Sequence, residues 1–168
     1  FDERGALDLD AAATLADWLV DNGSDGLVLC GTTGESPVLT DSEEVALTRV
    51  VRSAVPVPIL LGTGSNDTAY AIEATRRSAE LGVDGVLLVA PYYNRPPQAG
   101  LEAHFRAVAA ATDLPVVLYD IPIRTGRKID TDVILRLVRD VPNIVAVKDA
   151  AGDPAESARL IADAPGGF

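Results

Sequence analysis

Lys148 follows a run of four apolar residues at 144–147 and offers the clearest chemistry in this sequence. Small and β-branched residues in such a run are typical of a buried strand, which would place the lysine at its carboxyl end. Ligands of parallel α/β proteins bind at that end of the strands. An amine that is partly removed from water loses proton affinity, and the neutral form can attack a carbonyl to form a Schiff base. The alternatives are a lysine that extends into solvent or pairs with Asp149.

Two other apolar runs end in polar segments that fit the same chemistry. Two glycines bracket Thr32 and Thr33 in a tight turn, whose N–H groups and hydroxyls could hold a carboxylate. Tyr92 and Tyr93 lie in a loop stiffened by prolines, and phenol hydroxyls can relay protons. An ordinary strand-to-helix turn and aromatic packing at a subunit contact remain the alternative interpretations.

Tyr119 and Arg124 follow a further apolar run. A phenol at a strand end and a guanidinium five residues later offer a proton donor and a carboxylate clamp, although Arg124 could also be a surface charge. Hydroxyls, phenols, one guanidinium and one amine at the same ends of the strands suit carbonyl chemistry on a carboxylate substrate.

Strands and helices must alternate to position these residues, with a period close to that of one βα unit. Apolar runs predict strands at 26–30, 58–62, 85–90, 115–119 and 144–148. Amphipathic periodicity predicts helices at 8–22, 40–55, 68–81, 100–111, 130–139 and 154–162, the second opened by a capping box at Thr40–Glu43.

Five continuously apolar strands, each followed by a helix, predict an α/β protein with a parallel sheet. Two architectures fit: an open, doubly wound sheet and five consecutive units of a (β/α)₈ TIM barrel. The length favours the open sheet, whereas an opening helix with no strand before it favours a barrel fragment. We expect a single partial barrel domain over residues 1–168, and the start at Phe1 without a methionine suggests an internal piece of a longer protein.

Composition narrows the possible partners. A formal net charge of −11 argues against nucleic acid or an anionic membrane, because both would be repelled. Cys30 is the only cysteine and no apolar stretch has transmembrane length, so a cytoplasmic protein without an internal disulfide is expected. His104 is the only histidine, so a histidine-rich metal site is excluded and a Ser-His-Asp triad could be formed only through His104. This residue lies on a predicted helix face.

Four motifs, in this order along the chain, resemble the dihydrodipicolinate synthase family of the N-acetylneuraminate lyase superfamily. They are Gly31-Thr32-Thr33-Gly34-Glu35, Pro91-Tyr92-Tyr93-Asn94-Arg95-Pro96, Tyr119-Asp120-Ile121-Pro122-Ile123-Arg124-Thr125-Gly126 and Val147-Lys148-Asp149-Ala150. The resemblance spans Phe1 to Phe168 and implies strands two to six of a (β/α)₈ barrel, with the first strand and the C-terminal units missing.

The resemblance also implies an activity: condensation of pyruvate with L-aspartate 4-semialdehyde in diaminopimelate and lysine biosynthesis. Lys148 would form the pyruvate imine without any other cofactor. Tyr119, Thr33 and Tyr93 would relay protons, with Tyr93 donated by a neighbouring subunit of a homotetramer. Thr32 and Thr33 would hold the pyruvate carboxylate, and Arg124 the semialdehyde carboxylate.

Alternatives to this activity remain open. A related pyruvate-dependent aldolase, acting on 2-keto-3-deoxy sugar acids or N-acetylneuraminate, would keep the imine and change the acceptor; Arg124 favours the synthase. A non-catalytic α/β binding module is the rival from another class. Asp41, Glu44 and Tyr70 replace the histidines and the glutamate that bind inhibitory lysine in some family members, so lysine feedback is not expected.

Overall fold

The computed structural model describes residues 1–168, and its elements alternate as the sequence predicts. The helices are α1 Leu9–Asp21, α2 Asp41–Ala54, α3 Thr68–Ala79, α4 Gln98–Ala109, α5 Pro122–Thr125, α6 Thr131–Asp140 and α7 Pro154–Asp163. The strands are β1 Leu27–Leu29, β2 Ile59–Gly62, β3 Gly85–Val89, β4 Val116–Asp120 and β5 Ile144–Asp149. Two short elements were not predicted: a 3₁₀ helix at Ser36–Val38 and the one-turn helix α5.

The order of the strands distinguishes the two candidate architectures. Each strand pairs in parallel with the next one along the chain, giving one sheet in the order β1-β2-β3-β4-β5. A doubly wound sheet reverses its order at a switch point and carries helices on both faces. The order here does not reverse, so five consecutive units of a β/α barrel are confirmed and the open doubly wound sheet is wrong.

One face of the sheet, the helix-covered face, carries the main hydrophobic core. Val86, Leu88, Val116 and Leu118 are fully buried there against side chains of α3, α4, α6 and α7. A second cluster packs strand residues of β1 and β2 against α1 and α2. Because all six long helices cover the same face, the opposite face is left for other contacts.

The opposite face, called the open face, is defined by Leu87, Val117, Tyr119 and Lys148. These residues alternate with those of the helix-covered face along their strands, as the two-residue period of a strand requires. Leu87 and Tyr119 are buried against each other and Ile121, whereas Val117 is half-buried.

The strand ends approach one another closely where β2 ends in glycine. A Cβ atom on Gly62 would lie 2.2 Å from the carbonyl oxygen of Cys30, and one on Gly64 would lie 2.4 Å from the backbone nitrogen of Val89. No side chain fits at either position. These glycines therefore let the polar loops after β1, β2 and β3 come together at one end of the sheet.

The capping box is confirmed at the start of α2. Thr40 Oγ1 accepts the N–H of Glu43 at 3.3 Å, and Glu43 Oε2 accepts the N–H of Thr40 at 2.8 Å. None of the helices is both long and apolar enough to cross a membrane.

Candidate active site

A cavity of about 500 Å³ opens at the carboxyl ends of the strands. Its lining combines the loops after β1, β3 and β4 with open-face residues of the sheet. The predicted site residues that line it are Thr32, Tyr93, Tyr119 and Arg124. The structure thus brings together four of the six residues that the sequence assigned to the site, and Lys148 lies beside them without lining this cavity.

Lys148 lies next to Tyr119 across the β4–β5 pair. The two residues are in register, and the Lys148 Nζ lies 4.2 Å from the centre of the Tyr119 ring, in cation–π geometry. The alternative pairing with Asp149 is not observed, because that carboxylate accepts hydrogen bonds from Ser157 Oγ and the Ala151 N–H.

The partial removal from water that would make Lys148 reactive is not observed among these residues. Its side chain is exposed, together with those of Asp149 and Ala150. The physical reason is its position: β5 is the last strand of the sheet, so Lys148 is covered by β4 on one side only. Contact with a phenol ring is retained, but the desolvation that would favour a neutral amine is not supplied by these residues.

Tyr119 is the best-buried polar residue of the open face, with 5% of its surface exposed. Its ring packs with Leu87 and Ile121, which fixes the phenol at the cavity wall. It pairs in register with Val89 on one side and with Lys148 on the other. Tyr119 is therefore placed between the cavity and the amine.

The turn after β1 is shaped by two left-handed residues, Cys30 at φ 52° and Glu35 at φ 54°. Between them Thr32 and Thr33 are exposed, and Thr32 lines the cavity. Thr33 does not line it, and no hydrogen bond joins Thr33 to Tyr119 or Tyr93. The expected hydroxyl relay is thus not assembled within this chain.

Tyr93 lies at the mouth of the cavity in a strained backbone conformation. Its φ is 74°, and 88% of its surface is exposed. A bulky residue in the left-handed region costs energy, and such strain is concentrated at functional sites. Tyr92, its neighbour, also lines the cavity and is 38% exposed.

Arg124 is carried by α5, an element that the sequence reasoning missed. The signals were present: Pro122 is the first residue of the turn, and Gly126 caps it at φ 72°, donating its N–H to the carbonyl of Pro122 at 2.8 Å. Arg124 is exposed and lines the cavity, so its guanidinium is available to an anion in solution.

Asp120 has a structural role at the site that the sequence did not predict. It is 1% exposed, accepts the N–H of Ile129 at 3.1 Å and lies 3.5 Å from the Lys128 Nζ. Burial raises the pKa of its carboxyl group, although the Ile129 N–H and the Lys128 ammonium oppose that shift. Asp120 anchors the segment that follows Arg124 to the end of β4.

A smaller cavity of about 160 Å³ lies beside the first, and Glu44 and Tyr70 are among the residues that line it. Tyr70 Oη donates to Asp41 Oδ1 at 2.7 Å, and Arg77 donates to Asp41 Oδ2 at 3.0 Å. Burial raises the pKa of Glu44, and burial with the Asp41 hydrogen bond raises the pKa of Tyr70 to about 12. Asp41, Glu44 and Tyr70 are thus held largely by one another and by Arg77.

His104 lies outside the site. It is buried in α4, where its Nδ1 forms a 2.8 Å hydrogen bond with Thr68 Oγ1 and its Nε2 has no partner. Burial lowers the pKa of the imidazole. A Ser-His-Asp arrangement is therefore absent, and the predicted position on a helix is confirmed.

The sequence of residues 1–168 matches the model of the dihydrodipicolinate synthetase family throughout. The chain belongs to this family.

Similar proteins agree with that assignment. The 4-hydroxy-tetrahydrodipicolinate synthase of Moorella thermoacetica is 54% identical over 170 residues, which cover 100% of this chain and 58% of that protein. The crystal structure of dihydrodipicolinate synthase from Bacillus anthracis superposes with a TM-score of 0.97 at 46% identity, covering 100% of this chain and 58% of that one. The chloride-inhibited enzyme from Acinetobacter baumannii, complexed with pyruvate, gives a TM-score of 0.93 at 39% identity, covering 96% and 56%. The chain therefore spans a little over half the length of its relatives.

Proposed function

We propose that the polypeptide carrying this sequence is a Schiff-base lyase that condenses pyruvate with L-aspartate 4-semialdehyde to 4-hydroxy-tetrahydrodipicolinate. The observation that carries the proposal is the placement of Lys148 in register with Tyr119, with its Nζ 4.2 Å from the ring and beside a cavity that Arg124 lines. An amine, a phenol and a guanidinium at the ends of adjacent β/α units match the requirements of imine chemistry on carboxylates.

The proposed first half-reaction takes place on the lysine. The neutral Lys148 Nζ attacks the keto carbon of pyruvate, a C–N bond forms, and the keto oxygen leaves as water to give the imine. Loss of a methyl proton then produces an enamine. Tyr119 is placed to move these protons, since its ring contacts the amine, and Thr32 and Thr33 would hold the pyruvate carboxylate.

The second half-reaction joins the two substrates. The enamine carbon adds to the aldehyde of the semialdehyde, whose carboxylate Arg124 would bind by charge-assisted hydrogen bonds. Cyclisation by the substrate amine then displaces Lys148 and regenerates it for another turnover. Tyr93 is 88% exposed, and it would reach from this chain into a neighbouring subunit to complete the proton relay there.

The remaining parts of the proposal concern the protein's surroundings. Residues 1–168 would supply strands two to six of the barrel, and further barrel units would cover Lys148 and desolvate it. No external cofactor is needed, because the imine itself is the electron sink. We propose a cytoplasmic homo-oligomer, a tetramer in which Tyr93 crosses between subunits.

Trapping of the imine tests the proposal directly. Borohydride added with pyruvate should reduce the imine to a secondary amine and leave one 1-carboxyethyl group on Lys148, located by peptide mass spectrometry. Lys128 is the matched control within the chain, because its Nζ pairs with Asp120 and should stay unmodified. In Lys148→Arg no adduct should form. An adduct on Lys128, or equal labelling without pyruvate, would contradict the assignment.

A further inference from the structure

Arg95 connects two loops at the mouth of the cavity. It follows β3 in the same loop as Tyr93, and its Nε donates a 2.8 Å hydrogen bond to the carbonyl oxygen of Gly126, 31 residues further along the chain. Its backbone is left-handed, with φ 48°. No acidic side chain pairs with it, so the contact with Gly126 is its only hydrogen bond.

The Arg95 stem also packs against the glycine that it contacts. A Cβ atom on Gly126 would lie 3.4 Å from both Cδ and Nε of Arg95, which is close van der Waals contact. Gly126 is the residue that ends α5, and its own N–H closes that turn on Pro122. Arg95 therefore holds the carboxyl end of the one-turn helix that carries Arg124.

An isolated turn of four residues has little stability of its own, because helix nucleation is unfavourable. Within α5, Thr125 Oγ1 bonds the carbonyls of Ile121 and Arg127 and steadies the chain around the turn. The only side chain from another loop that bonds to the residues of the turn or its cap is that of Arg95.

A second contact with the segment after α5 comes from Gln98, the first residue of α4. Gln98 Nε2 donates to the carbonyl of Lys128 at 2.8 Å, and Gln98 Oε1 accepts the N–H of Asp130 at 3.0 Å. Gln98 fixes the segment after the turn, so the contribution of Arg95 is confined to the turn itself.

We propose that Arg95 is a positioning residue that fixes α5, and with it the Arg124 guanidinium, for the carboxylate-bearing aldehyde. This role rests on the proposed function. It should affect use of the aldehyde but not of pyruvate, because pyruvate reacts at Lys148 on β5, which Arg95 does not contact. Loss of the Arg95 contact should let the turn fluctuate and blur the geometry of the acceptor subsite. Misplacement of a binding group by about 1 Å can reduce the rate by as much as ~100-fold.

The kinetic test uses Arg95→Ala, Arg95→Lys and the matched control Arg76→Ala, an exposed arginine of α3 whose side chain makes no hydrogen bond. In Arg95→Ala, KM for the semialdehyde should rise about tenfold. KM for pyruvate and borohydride trapping at Lys148 should stay at the unsubstituted value. Arg95→Lys should recover most of the loss, because an ammonium group can also donate to the Gly126 carbonyl.

The structural test needs no substrate. Hydrogen exchange of the Thr125 and Gly126 amides should be faster in Arg95→Ala than in Arg76→Ala, and the melting temperatures of the two variants should agree. If exchange at α5 is unchanged, or if pyruvate trapping falls as far as semialdehyde use, the positioning role is wrong. A chain that never traps pyruvate at Lys148 would instead contradict the proposed function, while the exchange comparison would still decide whether Arg95 holds the turn.

Discussion

The two faces of the sheet differ in how much apolar surface they bury and in which candidate functional groups they carry. The clusters on the helix-covered face comprise 17 and 7 buried residues, whereas the open face buries a cluster of 3, so most of the apolar burial lies beneath the helices. The candidate chemistry lies on the other side: Tyr119 and Lys148 are on the open face, and Arg124 is at its carboxyl end. Residues that stabilise the fold and residues that could act on substrates are therefore largely separate.

Two adjacent residues of β4 give the most direct test of whether stability and chemistry are assigned to different faces of the sheet. Leu118 is fully buried on the helix-covered face, and Val117 is half-buried on the open face. Leu118→Ala should lower the free energy of unfolding by about 2–5 kcal/mol, because it leaves a cavity under α4 and α6. Val117→Ala should cost roughly 1 kcal/mol, because less apolar surface is buried there. Urea denaturation of the 168-residue chain measures both.

The slope of the denaturation curve serves as the control for this pair. An unchanged m-value in both variants shows that each midpoint reports stability rather than a changed unfolded state. Equal losses from the two substitutions would mean that the open face contributes as much to folding as the helix-covered face.

Arg124 should show the opposite behaviour to Leu118. Arg124→Ala removes an exposed guanidinium, so the free energy of unfolding should stay within about 0.5 kcal/mol of the unsubstituted value. Condensation with the semialdehyde should lose about 100-fold in kcat/KM, since the proposed carboxylate contact of Arg124 would be removed. Pyruvate trapping at Lys148 should persist. Arg76→Ala on α3 is the matched control, and equal loss of trapping and condensation would remove Arg124 from acceptor binding.

The smallest expected effect concerns pH and lies on the helix-covered side. Burial lowers the pKa of His104 below its ordinary value of 6.5, so the folded state keeps the imidazole neutral while the unfolded chain takes up a proton. His104 therefore adds full stability above pH 6.5, and stability falls as the pH drops below that value, by at most about 1.4 kcal/mol per pH unit.

His104→Gln checks this dependence, because glutamine does not titrate and can still bond to Thr68. Urea midpoints should be measured from pH 7 down to pH 5, a range that includes the ordinary imidazole pKa. As the pH is lowered, the midpoint should fall less steeply in the variant than in the unsubstituted protein. Parallel curves for the two proteins would show that other groups cause the acid sensitivity.

The sequence by itself determined the elements and the positions of the chemical groups. Periodicity located all five strands and six of the helices, because burial on one face of an element leaves a pattern in the chain. The polar residues at the strand ends also followed from it, since a strand that ends in Lys148 or Tyr119 must deliver that residue to the carboxyl end of the sheet. Even α5 had a local signal, in its leading proline and closing glycine.

Only the tertiary structure decided what surrounds those groups. The order of the strands, the burial of Asp120 and the contact of Arg95 with Gly126 join residues distant in sequence, which no local pattern encodes. Lys148 shows the limit most clearly: its place at the end of β5 could be read from the residues around it, but its exposure depends on which strands lie beside β5. The solvation of the Lys148 amine depends on which residues surround it in space, and this solvation determines whether the amine is charged or neutral and reactive.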